Sequence, residues 1–203
     1  GSNNDAASSV ATSAVTVTAV ADAPDLAVNN ALTTDEDVGV NLGIVSTLVD
    51  SDGSEALAVV ISGLPVGAEI ADGTNTSNIA STDVSAWTLN AITVVSKLHD
   101  DTDFQLTVTA TATEGANSDT ESTVELIDIT VNPVSDAPGL VVADASGDED
   151  TAISLTIAGA LVDTDGSEVL TYELTGVSGT LSAGTDNGGG SWSLTSGQVA
   201  GLT

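Results

Sequence analysis

Apolar and polar residues alternate along most of this chain with the period of two that a half-buried β-strand requires. The alternation is clearest over 104–113. There Phe104, Leu106, Val108, Ala110 and Ala112 share one face, with Gln105 and threonines opposite. Shorter stretches of the same kind predict strands at 25–29, 38–45, 56–61, 68–71, 86–89 and 123–131. Val is the commonest residue of these stretches, followed by Ala, Leu and Ile, and Gly, Asp, Asn and Ser fill the gaps between them, as turn chemistry demands.

The pattern occurs twice. Ala21-Asp22-Ala23-Pro24 returns as Ser135-Asp136-Ala137-Pro138 after 114 residues, and Asp35-Glu36-Asp37 returns as Asp148-Glu149-Asp150 after 113. Leu48-Val49-Asp50-Ser51-Asp52-Gly53-Ser54-Glu55 returns as Leu161-Val162-Asp163-Thr164-Asp165-Gly166-Ser167-Glu168, again after 113. Ala86-Trp87-Thr88-Leu89 echoes Ser191-Trp192-Ser193-Leu194 after 105, which places deletions between Gly63 and Trp87. Collinear matches at a fixed period mark a tandem repeat of about 110 residues. Seven short strands per repeat predict an all-β fold of tandem immunoglobulin-like Greek-key β-sandwiches without the Cys–Trp–Cys core. Trp87 and Trp192 read as core plugs.

The expected organisation is a terminal strand of a preceding repeat in 1–21, a full repeat in 22–135, and a second repeat in 136–203. The second stops near the position of Leu98, short of counterparts for the strands at 104–113 and 123–132. Val15-Thr16-Val17-Thr18 resembles Ile129-Thr130-Val131-Asn132. Either residues 9–20 complete another copy head to tail by strand pairing, or residues 1–20 pair only loosely and the second repeat is partly disordered. Gly1-Ser2 reads as a cloning remnant, so the sequence reads as a piece of a longer protein.

Charge changes the picture. The chain has 30 Asp plus Glu against one Lys or Arg, a formal net charge of −29. Salt bridges cannot balance this, and self-repulsion works against the compact state. A bound divalent cation is one remedy; the alternative is acidity that serves solubility alone. A basic footprint for nucleic acid is missing, and anionic membrane surfaces are disfavoured. No disulfide can form, since there is no Cys.

Strand parity sorts the acids. If each strand reverses the last, Asp50, Asp52, Glu55 and Glu114 lie at the N-terminal pole of the first repeat. Asp35, Glu36, Asp37, Asp101 and Asp103 lie at its C-terminal pole, facing Asp136 of the linker and Asp163, Asp165 and Glu168 of the second repeat. Asp22 occupies the preceding linker, and Glu149 and Asp150 repeat the Glu36-Asp37 pair. All sixteen are candidate metal ligands. Calcium, with 6–8 oxygen ligands, suits such a junction better than magnesium, which keeps its waters. The Asp-x-Asp-Gly-Ser-Glu run lacks the glutamate and flanking helices of an EF-hand. Unliganded Asp-Gly turn chemistry is the plain alternative for each loop taken alone.

An enzyme is not expected. His99 is the only histidine and Lys97 the only base, and no serine has a general base in a recognisable arrangement. His99 reads as a loop residue.

The linkers at Asp22 and Asp136, the Asp-Glu-Asp-Thr run at Asp148–Thr151, Asp163–Glu168, Gly188–Trp192 and Asp103–Thr111 resemble the tandem repeats of giant bacterial repeats-in-toxin adhesins, close to cadherin-like repeats. The resemblance implies secretion to the bacterial cell surface and calcium between repeats. It also implies a role as a stiff extender in adhesion or biofilm formation, with neighbouring repeats as partners. A glycan- or protein-binding module is the alternative.

Overall fold

The computed structural model describes residues 8–203. The expected terminal strand of 1–21 therefore lies partly outside the described residues. Within 8–20 the chain forms no strand and is almost wholly exposed, Val15 and Val17 included. It is fastened only at its end, where Asn117 donates to the Ala19 carbonyl and the Ala21 N–H donates to Asp119.

The first repeat is an all-β sandwich. Its strands are β1 (Asp25–Ala27), β2 (Ala31–Asp35), β3 (Val40–Asn41), β4 (Val45–Thr47), β5 (Glu55–Ser62), β6 (Glu69–Ala71), β7 (Thr76–Ser77), β8 (Ser81–Asp83), β9 (Thr93–Val95), β10 (Phe104–Glu114) and β11 (Thr120–Asn132). One sheet runs β2-β11-β10-β5-β8 and the other β3-β9-β6-β7, with β1 and β4 paired beside them. The strand β2 runs parallel to β11 and every other pair is antiparallel. Between the sheets lie Leu42, Ile44, Val59, Ile61, Ile70, Val94, Leu106, Val108, Ile127 and Ile129, each 2 % exposed or less. The face predicted for 104–113 is the buried one, from Leu106 through Ala112.

Three expected strands differ in the structure. The stretch 25–29 ends early, as β1 at Ala27; the chain breaks at 28–30 and resumes as β2, which has crossed from β4 to β11. The stretch 38–45 is split by Gly43, whose φ of +65° only glycine adopts easily. A Cβ there would meet the Asn29 amide at 2.4 Å. The break lets β3 pair with β9 and β4 with β1 while Leu42 and Ile44 both stay buried. The stretch 86–89 is no strand. Trp87 sits in a turn whose N–H bonds to the Val84 carbonyl, and Leu89–Ala91 is a 3-10 turn. The β-branched run Thr93-Val94-Val95 forms the strand instead.

The second repeat has β12 (Gly139–Ala143), β13 (Thr156–Ala160), β14 (Thr171–Leu174), β15 (Thr185–Gly188) and β16 (Ser191–Thr195). Trp192, Leu194, Val199 and Leu202 form its core, with Ile157, Tyr172 and Leu174 packed against them. This corrects the tryptophan match. Leu42 donates to the Ile92 carbonyl, and its counterpart Leu155 donates to that of Leu202. The strand β5 pairs Ile61 with Thr82, whereas β14 pairs Leu174 with Trp192. Trp192 therefore takes the place of Thr82, not of Trp87, and Leu202 matches Ile92. The second repeat ends at the level of Thr93 rather than Leu98. A strand tryptophan and a turn tryptophan look alike in a four-residue match, so the sequence signal was false there.

Candidate metal centre

Each acidic loop folds on itself before any partner arrives. The Asp50 Oδ1 accepts from the Asp52 N–H at 2.9 Å, and the Asp52 Oδ1 from the Ser54 N–H at 2.7 Å. The Asp163 Oδ1 and Asp165 Oδ1 accept from the Asp165 and Ser167 N–H groups at 2.8 and 2.7 Å. Gly53 and Gly166, at φ +91° and +103°, allow the chain to turn between them. One oxygen of each carboxylate thus holds its own loop; in the second repeat the Asp163 Oδ2 also accepts from the Ser167 hydroxyl at 3.4 Å.

The loop glutamates then grip the linkers. The Asp22 N–H donates to Glu55 Oε1 at 2.8 Å, and the Asp136 N–H donates to Glu168 Oε1 at 2.6 Å. In both glutamates Oε2 is buried with no hydrogen-bond partner. Glu114, 2 % exposed, accepts from the Ser54 hydroxyl and the Ala116 N–H. Asp22, Asp50, Asp52, Glu55 and Glu114 are thus gathered at one pole, as strand parity predicts.

At the other pole the first repeat meets the second. Glu36 is 4 % exposed; its Oε1 accepts from the Val134 N–H, and its Oε2 is buried without a partner. Carboxylate oxygens of Glu36, Asp163 and Asp165 all lie within 4.8 Å of one another. Asp163 is 1 % exposed. The Asp101 N–H reaches across to Asp165 Oδ2 at 3.3 Å. A second group forms beside it, from Asp37, His99 and Asp136, again within 4.8 Å. Asp37 has a φ of +61°, so the chain turns sharply and consecutive carboxylates, Glu36 and Asp37, serve different groups.

The electrostatics record the crowding. The Val134 N–H pulls the Glu36 pKa down, but burial and the fields of Asp163, Asp165 and Asp37 outweigh it, and the net shift is upward. Burial and then Asp165 raise Asp101. Asp165 is lowered, first by the Ser167 N–H and hydroxyl. The chain's single Lys and single His both stand at this junction. Lys97 binds Asp100 at 2.7 Å and holds that carboxyl down at about 2, while the more distant Asp165 and Asp163 help to raise Lys97.

Of the sixteen predicted ligands, Glu36, Asp37, Asp101, Asp136, Asp163, Asp165 and Glu168 converge at the junction. Asp35 and Asp103 lie at this pole but join neither group, and each turns one oxygen to the first repeat, to the Asn132 amide and the Val131 N–H. Glu149 and Asp150 join neither group. Asp150 does share the left-handed backbone of Asp37, at φ +61°. His99 was missed as a site residue. Its signal lay in its neighbours: it stands two residues before Asp101, an acid that parity already assigns to this pole.

These oxygen donors, some buried and unpaired, form an acidic cluster that fits a metal ion. Glu36, Asp163 and Asp165 would hold it, and its charge would allow three carboxylates to ionise side by side. Against known proteins, the chain matches no family model and no curated sequence.

Proposed function

We propose that this chain is a stretch of calcium-rigidified extender repeats from a large bacterial surface adhesin, exported from the cell and projecting a binding region outward. The sandwiches are read as immunoglobulin-like, a reading supported by the parallel pairing of β2 with β11 and by the two-sheet strand order. A single observation carries the proposal. Glu36 of the first repeat, buried and with Oε2 unpartnered, meets Asp163 and Asp165 of the second.

The physics follows from that meeting. Without a cation the three carboxylates repel, and the few linker residues after Val134 leave the repeats free to swing. With calcium the repulsion becomes a cross-link, and the angle between repeats is fixed. A rod of such units holds its tip at a distance, which is the use an adhesin has for it. Small-angle scattering of the chain in calcium and in chelator tests this. A longer, stiffer particle in calcium is expected, and superimposable profiles would overturn the rod.

A further inference from the structure

The cluster of Asp37, His99 and Asp136 differs in chemistry from its neighbour. It contains the chain's one imidazole. The His99 Nδ1 lies 2.7 Å from Asp136 Oδ2 and 3.2 Å from Asp37 Oδ2. It is buried and yet has no aligned hydrogen bond to either oxygen. This nitrogen and one oxygen of each carboxylate lie within 4.8 Å of one another, near enough for one ion to take a lone pair from each.

The backbone holds this arrangement from both sides. His99 adopts φ +53° and Asp37 φ +61°, conformations that cost a non-glycine residue free energy. The His99 N–H donates to Asp37 Oδ1 at 3.0 Å. One oxygen of Asp37 therefore positions the histidine while the other faces its ring.

From this geometry we infer that the chain carries a second metal centre, distinct from the carboxylate cluster at Glu36, that takes a borderline divalent transition cation of the zinc class. Calcium selects oxygen, whereas imidazole with carboxylates suits zinc and cobalt. Three protein ligands leave one tetrahedral position to water. Two of the ligands belong to the first repeat and the third, Asp136, to the linker. The ion clamps the linker to the first repeat whether or not the carboxylate cluster is filled. The inference deepens the junction reading without requiring calcium to bind.

The test uses the whole chain saturated with calcium. Zinc is titrated calorimetrically, and cobalt(II) by its visible absorption. One equivalent of zinc is expected, together with a cobalt spectrum of low coordination number and a nitrogen ligand. His99→Gln should weaken zinc by at least about tenfold, since even outer-shell changes cost 10–100-fold. The calcium-induced rise in melting temperature should persist in that variant. Asp163→Asn should do the reverse. Zinc affinity unchanged in His99→Gln would overturn the inference. So would displacement of zinc by calcium, or no zinc binding at all. A chain that binds zinc but gains nothing from calcium would instead remove the rod reading alone.

Discussion

The backbone N–H of Asp136 donates to Glu168 Oε1 at 2.6 Å, and Glu168 Oε2 is left buried without a partner. The same pair exists one repeat earlier, where Asp22 donates to Glu55 at 2.8 Å. A carboxylate that grips a linker amide with one oxygen and offers the other inward couples linker position to whatever charge sits beside it. Glu168→Gln keeps the shape and can still accept from the amide, but it removes the negative charge. The expected outcome is a smaller calcium-induced rise in melting temperature and a scattering profile that stays flexible in calcium. An ion at one hundred times its dissociation constant contributes about 2.7 kcal/mol. For a chain of this length that is a rise of roughly 5–11 °C, so the loss is readily measured.

Glu36→Gln should act with opposite signs in two conditions. In chelator the buried Glu36 carboxylate is held at a raised pKa by burial and by its acidic neighbours. The folded state then binds its proton more readily than the unfolded state does. Its contribution to stability is present at low pH and lost as pH rises from about the ordinary value of 4.5 through the folded value. Asp101 has the same sign. At neutral pH in chelator, Glu36→Gln should therefore melt higher than the parent, and the gap should close as pH falls towards 4.5. In calcium the order should reverse. Thermal melts of both chains across pH, with and without the ion, check this.

The poles of the sandwich were legible because strand parity alone decides the end at which a loop emerges. Asp50 and Glu114 are 64 residues apart in sequence, yet both reach Ser54 or its neighbours through loops of the same parity. The strand β2 was not legible. Its partner β11 lies nearly 100 residues away and runs parallel, and Ala31–Asp35 shows little alternation of its own. The tryptophan register failed because Trp87 reaches the core from a turn and Trp192 from a strand. Neither geometry is written in the four residues compared. His99 was hidden by its backbone: at φ +53° its ring turns towards Asp136, which no strand or helix period anticipates.

Asp72 supplies a control remote from the junction. It accepts N–H bonds from Thr74, Asn75 and Thr88, and these bonds hold its pKa well below the ordinary carboxylate value. Its stabilising contribution is present above the ordinary value of 3.8 and lost as pH falls below it. Asp72→Ala should lower the melting temperature equally in calcium and in chelator. A calcium-dependent difference would mean that ion binding reaches this loop as well.

Trp192 separates the two repeats energetically. It is 8 % exposed and packs with Leu194, Val199 and Leu202, while Trp87 lies at the margin of a far larger core. Truncating a buried tryptophan to alanine costs about 3–5 kcal/mol. The small core around Trp192 has little stability to lose, because a modest domain holds only a few kcal/mol in reserve. Trp192→Ala should therefore unfold the second repeat at ambient temperature and leave the first repeat's cooperative melt in place. Unfolding the second repeat also scatters Asp163 and Asp165, so the calcium-dependent part of the first repeat's stability should vanish with it. Trp87→Ala should instead lower the first transition and keep both repeats folded and calcium-responsive. Calorimetry that resolved one shared transition in the parent, broken by neither substitution, would show that the repeats melt as a single unit.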